Sequence, residues 1–168
     1  MNISVVASYL EQLCREHKLV AHSDSEQHFV NLNDDKRATA LVNELHYPAV
    51  YFEANEFALS VSSEQVRKRY TCHIEVFAHV VDTSDYAEVE KALATTESIV
   101  IDLFVRMARD KRCRSPRWLM LLTGLDNLKV LPLQNEHNAL YGHMVEFEIS
   151  IDSCTIDSIN NFTITDNG

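Results

Sequence analysis

The residues most able to do chemistry in this chain are its eight histidines and its paired carboxylates. His17 and His22 lie five residues apart across the end of an expected helix, His73 and His79 lie six apart on one face of an expected strand, and His137 and His143 flank a loop. A metal ion needs ligands that converge to about 2 Å from one point, and none of these spacings implies that convergence. Glu146 and Glu148 fall on one side of an alternating run and would form a carboxylate pair for acid–base work; a solvated sheet face is the simpler reading. No G-x-S-x-G, H-E-x-x-H, Walker A or G-x-G-x-x-G pattern occurs, and three glycines leave little with which to build a phosphate-cradling loop. The expectation is a non-enzyme with no catalytic residue, no cofactor and no metal.

Cys14, Cys72, Cys113 and Cys154 are widely spaced and form no C-x-x-C pair, so free thiols are expected. Cys14 and Cys72 fall inside apolar patterns, where a thiol packs as a small hydrophobe. The formal charge is −10, from 25 acidic and 15 basic residues, which repels a phosphate backbone and argues against specific nucleic-acid binding. The basic residues are nonetheless clustered. Arg67, Lys68 and Arg69 form one group, and Arg106, Arg109, Lys111, Arg112, Arg114 and Arg117 form another. Trp118 follows the second group, a mixture that suits an interface anchor with a charged surround, against the plainer reading of a core tryptophan under a helix end. Arg67, Lys68, Arg69, Arg112, Arg114, Arg117 and Trp118 are therefore the candidate subunit interface.

With 168 residues, 46% apolar and 24% charged, the chain has the length and composition of one globular domain. The densest apolar run, Trp118 to Leu122, is far shorter than the roughly 18 to 20 residues that span a bilayer, so no membrane association is expected. Met1 to Leu13 carries Glu11 and lacks the basic start and unbroken apolar run of a signal peptide, which points to an intracellular protein.

Helical spacing of Val6, Leu10, Leu13 and Cys14 predicts a helix from Ser4 to His17. Phe29, Val30 and Leu32 are a short strand or a packed loop. A second, shorter helix follows the capping pair Asn33 and Asp34 and ends near His46; Ala49 to Phe52 then reads as a strand, with another short one at Ala58 to Val61. The strongest strand runs from Arg69 to Val81, with Tyr70, Cys72, Ile74, Val76, Ala78 and Val80 on a buried face. Arg69, Thr71, His73, Glu75 and His79 are on a wet one, where Phe77 is the exception. At about 3.3 Å per residue this strand spans about 43 Å, more than a small sheet uses, so it either bends or projects. Asp82 to Asp85 is a turn that caps a long helix from Tyr86, with acids at its start and Arg106, Arg109 and Lys111 at its end. Leu128 to Leu133 and the alternating run around Val145, Phe147, Ile149 and Ile151 form an antiparallel hairpin across Gln134 to Asn138.

These elements predict the α+β class: residues 1 to 153 as a single domain built on one mostly antiparallel sheet of about four to five strands with helices packed on one face. Residues 154 to 168 form a tail or arm.

The order of elements resembles the tail-terminator and tail-completion proteins of tailed phages and prophage-derived tails, which are small α+β proteins. The likeness covers residues 1 to 153, through the N-terminal helix, the extended segment after Tyr47-Pro48, the basic Arg67-Lys68-Arg69 entry to a long strand, Asp82 at the turn, the long helix and the final hairpin. Its closest local match is Leu140-Tyr141-Gly142 followed by Val145, Phe147 and Ile149, which looks like the last strand of such proteins. The segment at Phe29 and the extension from Thr155 to Gly168 depart from a minimal version of the pattern. The resemblance implies a homo-oligomeric ring, commonly a hexamer, that caps the tail tube, stops its polymerisation and offers a docking surface for the head. Tail-tube and head-completion proteins would be its partners, and it would be cytoplasmic during assembly and in the virion tail afterwards. The alternative is a small dimeric ferredoxin-like module that binds a ligand or another protein.

Overall fold

The computed structural model describes residues 3–32, 45–61, 66–123, 125, 128–135 and 138–153. Helix α1 spans Ile3–Glu16, and its buried residues Val6, Ala7, Leu10, Leu13 and Cys14 return every three to four positions to one stripe. Strands β1 (Gln27–Asn31), β2 (Leu45–Val61) and β3 (Val66–His79) follow. The long helix α2 covers Tyr86–Cys113, then come a 3-10 turn (Arg117–Leu121), β4 (Leu122–Thr123), β5 (Val130–Asn135) and β6 (Leu140–Ser153).

Among the described residues the sheet has six strands in the order β1-β2-β3-β6-β4, with β5 also paired to β6. It is antiparallel except for β1 beside β2. The α+β class thus holds, with more strands than the residue pattern predicts. The Phe29 segment is a strand because Phe29 and Val30 pair with Val50 and Tyr51 of β2 and are buried there. The ladder slips between Gln27 and Phe29, close to Pro48, which has no N–H to offer it. His28 Nδ1 lies 2.9 Å from the Pro48 carbonyl oxygen at this irregularity.

Two expectations are corrected. Ala49 to Phe52 and Ala58 to Val61 are one strand, joined through a β-bulge: Ala54 pairs with Cys72 and Glu56 with Thr71, so Asn55 has no partner position. His46 belongs to β2 and does not mark a helix end. The short helix after Asn33 and the tail from Cys154 onward lie outside the described residues.

β3 begins at Val66, earlier than alternation predicts, because its first residues complete ladders on both sides: Arg67 pairs with Ser60 and Asp152, Lys68 with Leu59 and Ile151, Arg69 with Ala58 and Ser150. At about 3.3 Å per residue β3 is about 46 Å long. The bulge bends its partner, and beyond it Ala58, Leu59, Ser60, Arg67 and Arg69 are exposed.

One hydrophobic core joins α1 and α2 to the sheet, with Leu10, Ile99, Leu103, Phe52, Ile74 and Val145 among its members. Phe104 of α2 meets Phe147 of β6 edge-on at 5.6 Å. A small second cluster of Val80, Ala92 and Tyr141 closes the other end of α2. Gly142 lies opposite Phe77 where β6 crosses β3, and a Cβ there would overlap the Val76 carbonyl oxygen and come within 3.0 Å of the Phe77 Cα. Only glycine fits that approach.

Helix α2 is capped at both ends. Asp85 Oδ1 accepts from the Ala87 and Glu88 N–H groups. At the other end Ser115 N–H donates to Asp110 O and Arg114 N–H to Lys111 O, the Schellman arrangement, with Arg114 in the left-handed region at φ 55°. Among the described residues no helix is long and apolar enough to cross a membrane.

Candidate functional site

The histidines are absorbed one by one into local structure. His22 is buried; its Nδ1 accepts from the His28 N–H at 3.1 Å, which leaves Nε2 to carry the proton of the neutral ring toward Glu11 at 3.4 Å. Burial holds its pKa below the ordinary value, against the opposing pull of Glu11. His143 contacts Thr96 Oγ1 of α2 at 3.0 Å and is likewise lowered by burial. His17 lies 3.3 Å from Asp102, and His73 lies 3.7 Å from Glu146. His137 is outside the described residues. No group of three His, Cys, Asp or Glu side chains among the described residues is placed to hold a metal ion. Glu146 and Glu148 are exposed and face His73 and Arg69 of β3, with Glu148 3.9 Å from Arg69.

The open sheet face is drier than its alternation predicts. His73, Glu75 and Phe77 are half-buried because β3 lies between β2 and β6 and their side chains crowd it from both sides. Tyr51 and Phe77 meet edge-on at 5.7 Å. Glu75 is raised above the usual carboxylate range, first by burial and then by Glu53 across the strand.

The two basic groups lie at the same end of the molecule. Phe104 on α2 contacts Phe147, which pairs with Cys72. Three to five residues on from Cys72 along the sheet stand Arg69, Lys68 and Arg67; eight to ten residues on from Phe104 along the helix stand Arg112 and Arg114, and both distances come to roughly 10 to 17 Å in one direction. By strand alternation Arg67 and Arg69 share the open face, whereas Lys68 is on the opposite one.

Within the second group the residues divide by role. Arg106 is tied to Asp110 through Nε at 3.0 Å and to Glu16 of α1 at 3.1 Å, and Tyr9 of α1 donates to Asp110 at 2.9 Å. Trp118 stands edge-on to Tyr9 at 5.3 Å, partly buried against the main core. Its place is under the helix end, with one side still open. Arg112 and Arg114 are exposed, and Arg117 is in the 3-10 turn, with its side chain outside the described ones.

What residue patterns alone miss is the surface beside the second group. Val105, Ala108, Met120 and Leu125 line a groove of about 590 Å³ whose rim carries Lys111, Arg112 and Arg114. A smaller apolar groove of about 270 Å³ continues it along α2 past Ile101 to Val130 of β5. Ile101, Val105 and Met120 are each half exposed or more. The signal was present as a second apolar stripe on α2, Ile101, Val105 and Ala108, offset from the buried stripe of Ile99, Leu103 and Met107.

No family model matches the chain, and neither does any curated protein.

Proposed function

We propose that the chain is a structural subunit of a phage or prophage-like tail, which closes with further copies into a ring that caps the tail tube and joins it to the head. The observation that carries this reading is the apolar groove at the C-terminal end of α2, ringed by Lys111, Arg112 and Arg114 on a chain of net charge −10. An apolar centre with a cationic rim suits docking of an acidic partner surface, and in a homo-oligomer that partner is another copy. The exposed end of β2 and β3, with Ala58, Leu59, Ser60, Arg67 and Arg69, supports the same reading as a second contact region beyond what the core needs. The reading takes both helices as packed on the sheet face that bears Phe52, Ile74 and Val145, which leaves the open face and the exposed strand end for neighbours.

Light scattering on the purified chain tests it. The ring reading expects a mass of several copies that drops to one when Arg112, Arg114 and Arg117 are all changed to Glu. A monomeric wild-type chain, or a variant of unchanged mass, overturns it. A stable mass of two copies favours the alternative, a dimeric ferredoxin-like module.

A further inference from the structure

We propose that the acidic turn joining β3 to α2 is the ligand of the basic groove: the turn of one copy seats in the groove of the next. The inference rests on the ring reading only in taking a second copy of the chain as the partner.

The turn has an unusual surface. Val81 is 84% exposed and Tyr86 83%, the two most exposed large apolar side chains among the described residues. Between Val81 and Glu90 the chain carries four carboxylates, Asp82, Asp85, Glu88 and Glu90, and no cation. Acids at a helix start have an ordinary reason, since they complement the helix dipole and cap it. That reason does not cover two bare apolar side chains beside them.

The turn is also fixed in shape. The Glu88 carboxylate accepts from the N–H groups of Val81 and Asp82 at 3.0 and 3.1 Å. Asp82 Oδ1 accepts from the Ser84 N–H at 2.9 Å and from its hydroxyl at 2.6 Å, and the Asp85 N–H donates to Asp82 O at 3.0 Å. A surface already held in one shape loses little conformational freedom on docking, which is what makes a small exposed turn an effective ligand.

Groove and turn complement each other in three respects. The groove's 590 Å³ admits a tyrosine ring with an aliphatic neighbour, its floor of Val105 and Met120 is apolar, and its rim is cationic where the turn is anionic. The two surfaces lie toward opposite ends of the 28-residue helix α2, with Tyr86 roughly 28 to 42 Å along the axis from the groove residues Val105 to Arg114, so one copy cannot satisfy both by itself. A contact between unlike surfaces adds copies head to tail and closes into a ring when the rotation allows, whereas two copies that exchange turns reciprocally stop at a twofold dimer.

The test uses the full chain with two double variants, Val81→Ser with Tyr86→Ser on the turn, and Arg112→Glu with Arg114→Glu on the groove. All four side chains are exposed, and circular dichroism and a thermal melt of each variant check that the fold is intact. At a concentration where the wild-type chain assembles, each variant alone is expected to be monomeric. An equimolar mixture is expected to form a complex of two copies, since one variant keeps a working groove and the other a working turn. Adding Glu90→Lys to the groove variant is expected to restore part of its assembly. A folded turn variant that assembles as the wild type does overturns the inference, and it leaves the ring reading standing if the groove variant is still monomeric. A wild-type mass of two, with both variants monomeric, keeps the contact and overturns the ring. A wild-type chain that is monomeric throughout overturns both.

Discussion

Arg114 is at the position of the Schellman arrangement where glycine is preferred, at φ 55° and ψ 33°. A residue with a Cβ costs about 1–2 kcal/mol in that region. Replacing it by glycine removes the cost but loosens the unfolded chain by roughly 0.4–1 kcal/mol, which leaves a net gain of about 1 kcal/mol. The lost cation near the helix C-terminus works the other way by roughly 0.3–1 kcal/mol. Arg114→Ala is therefore the reference, because it loses the same charge and keeps the same backbone cost. Arg114→Gly is expected to be about 1 kcal/mol more stable than Arg114→Ala, a rise in Tm of about 2–4 °C for a domain of this size. Both variants remove one cation from the groove rim, so both are expected to weaken assembly equally. Thermal melts and light scattering on the pair read the two effects separately. A glycine variant that melts at or below the alanine variant refutes the backbone argument, and assembly of both variants as strong as the wild type's refutes the assignment of Arg114 to the rim.

Gly142→Val is expected to destabilise the fold by about 3 kcal/mol, read by urea unfolding, because the added side chain overlaps the Val76 carbonyl and forces apart the central strand pair. A loss below about 1 kcal/mol would mean that β6 can shift along β3. Stability is also expected to depend on pH. The His22 and His143 rings titrate below their ordinary 6.5 in the folded chain, so the unfolded chain binds their protons first; their contribution is complete above about pH 6.5 and is lost as the pH falls through the folded values. Glu75 acts with the opposite sign, since its raised pKa makes its protonation on acidification favour the fold. In a Glu75→Gln variant the Tm is therefore expected to drop more steeply than in the wild type as the pH falls toward 4.5, and a drop no steeper than the wild type's would contradict the assignment.

Much of the fold could be read from periodicity. Helix α2 was legible from end to end because Asp85, Glu88 and the basic residues after Leu103 agree with its apolar spacing. The hairpin of β5 and β6 was legible for the same reason, as polar and apolar residues alternate along Val145 to Ile151. What periodicity missed depends on partners far away in sequence. A bulge at Asn55 shifts the alternation by one residue and splits one strand into two apparent ones. β1 owes its state to a parallel neighbour some twenty residues on, which its own five residues do not announce. The candidate site was half legible. Its cations stand out against an acidic chain, but the groove is made of Val105, Met120 and Leu125 from three segments, and the exposure of Val81 and Tyr86 follows from where β3 stops.

The pairing of β3 with β6 sets an order of events during synthesis. His79 and Leu140, at one end of that ladder, are 61 positions apart, and Val66 and Ser153, at the other, are 87 apart. β2 and β3 form a hairpin that can close as soon as both have left the ribosome, and α2 can cover it soon afterwards. The second edge of β3, with Cys72, Ile74 and Val76 along it, then stays open until the last strand arrives. A slowly translated or truncated chain that lacks β6 therefore presents a long unpaired edge to other chains, the situation in which sheets join between molecules. The same ladder that centres the finished sheet waits for the last strand to be made.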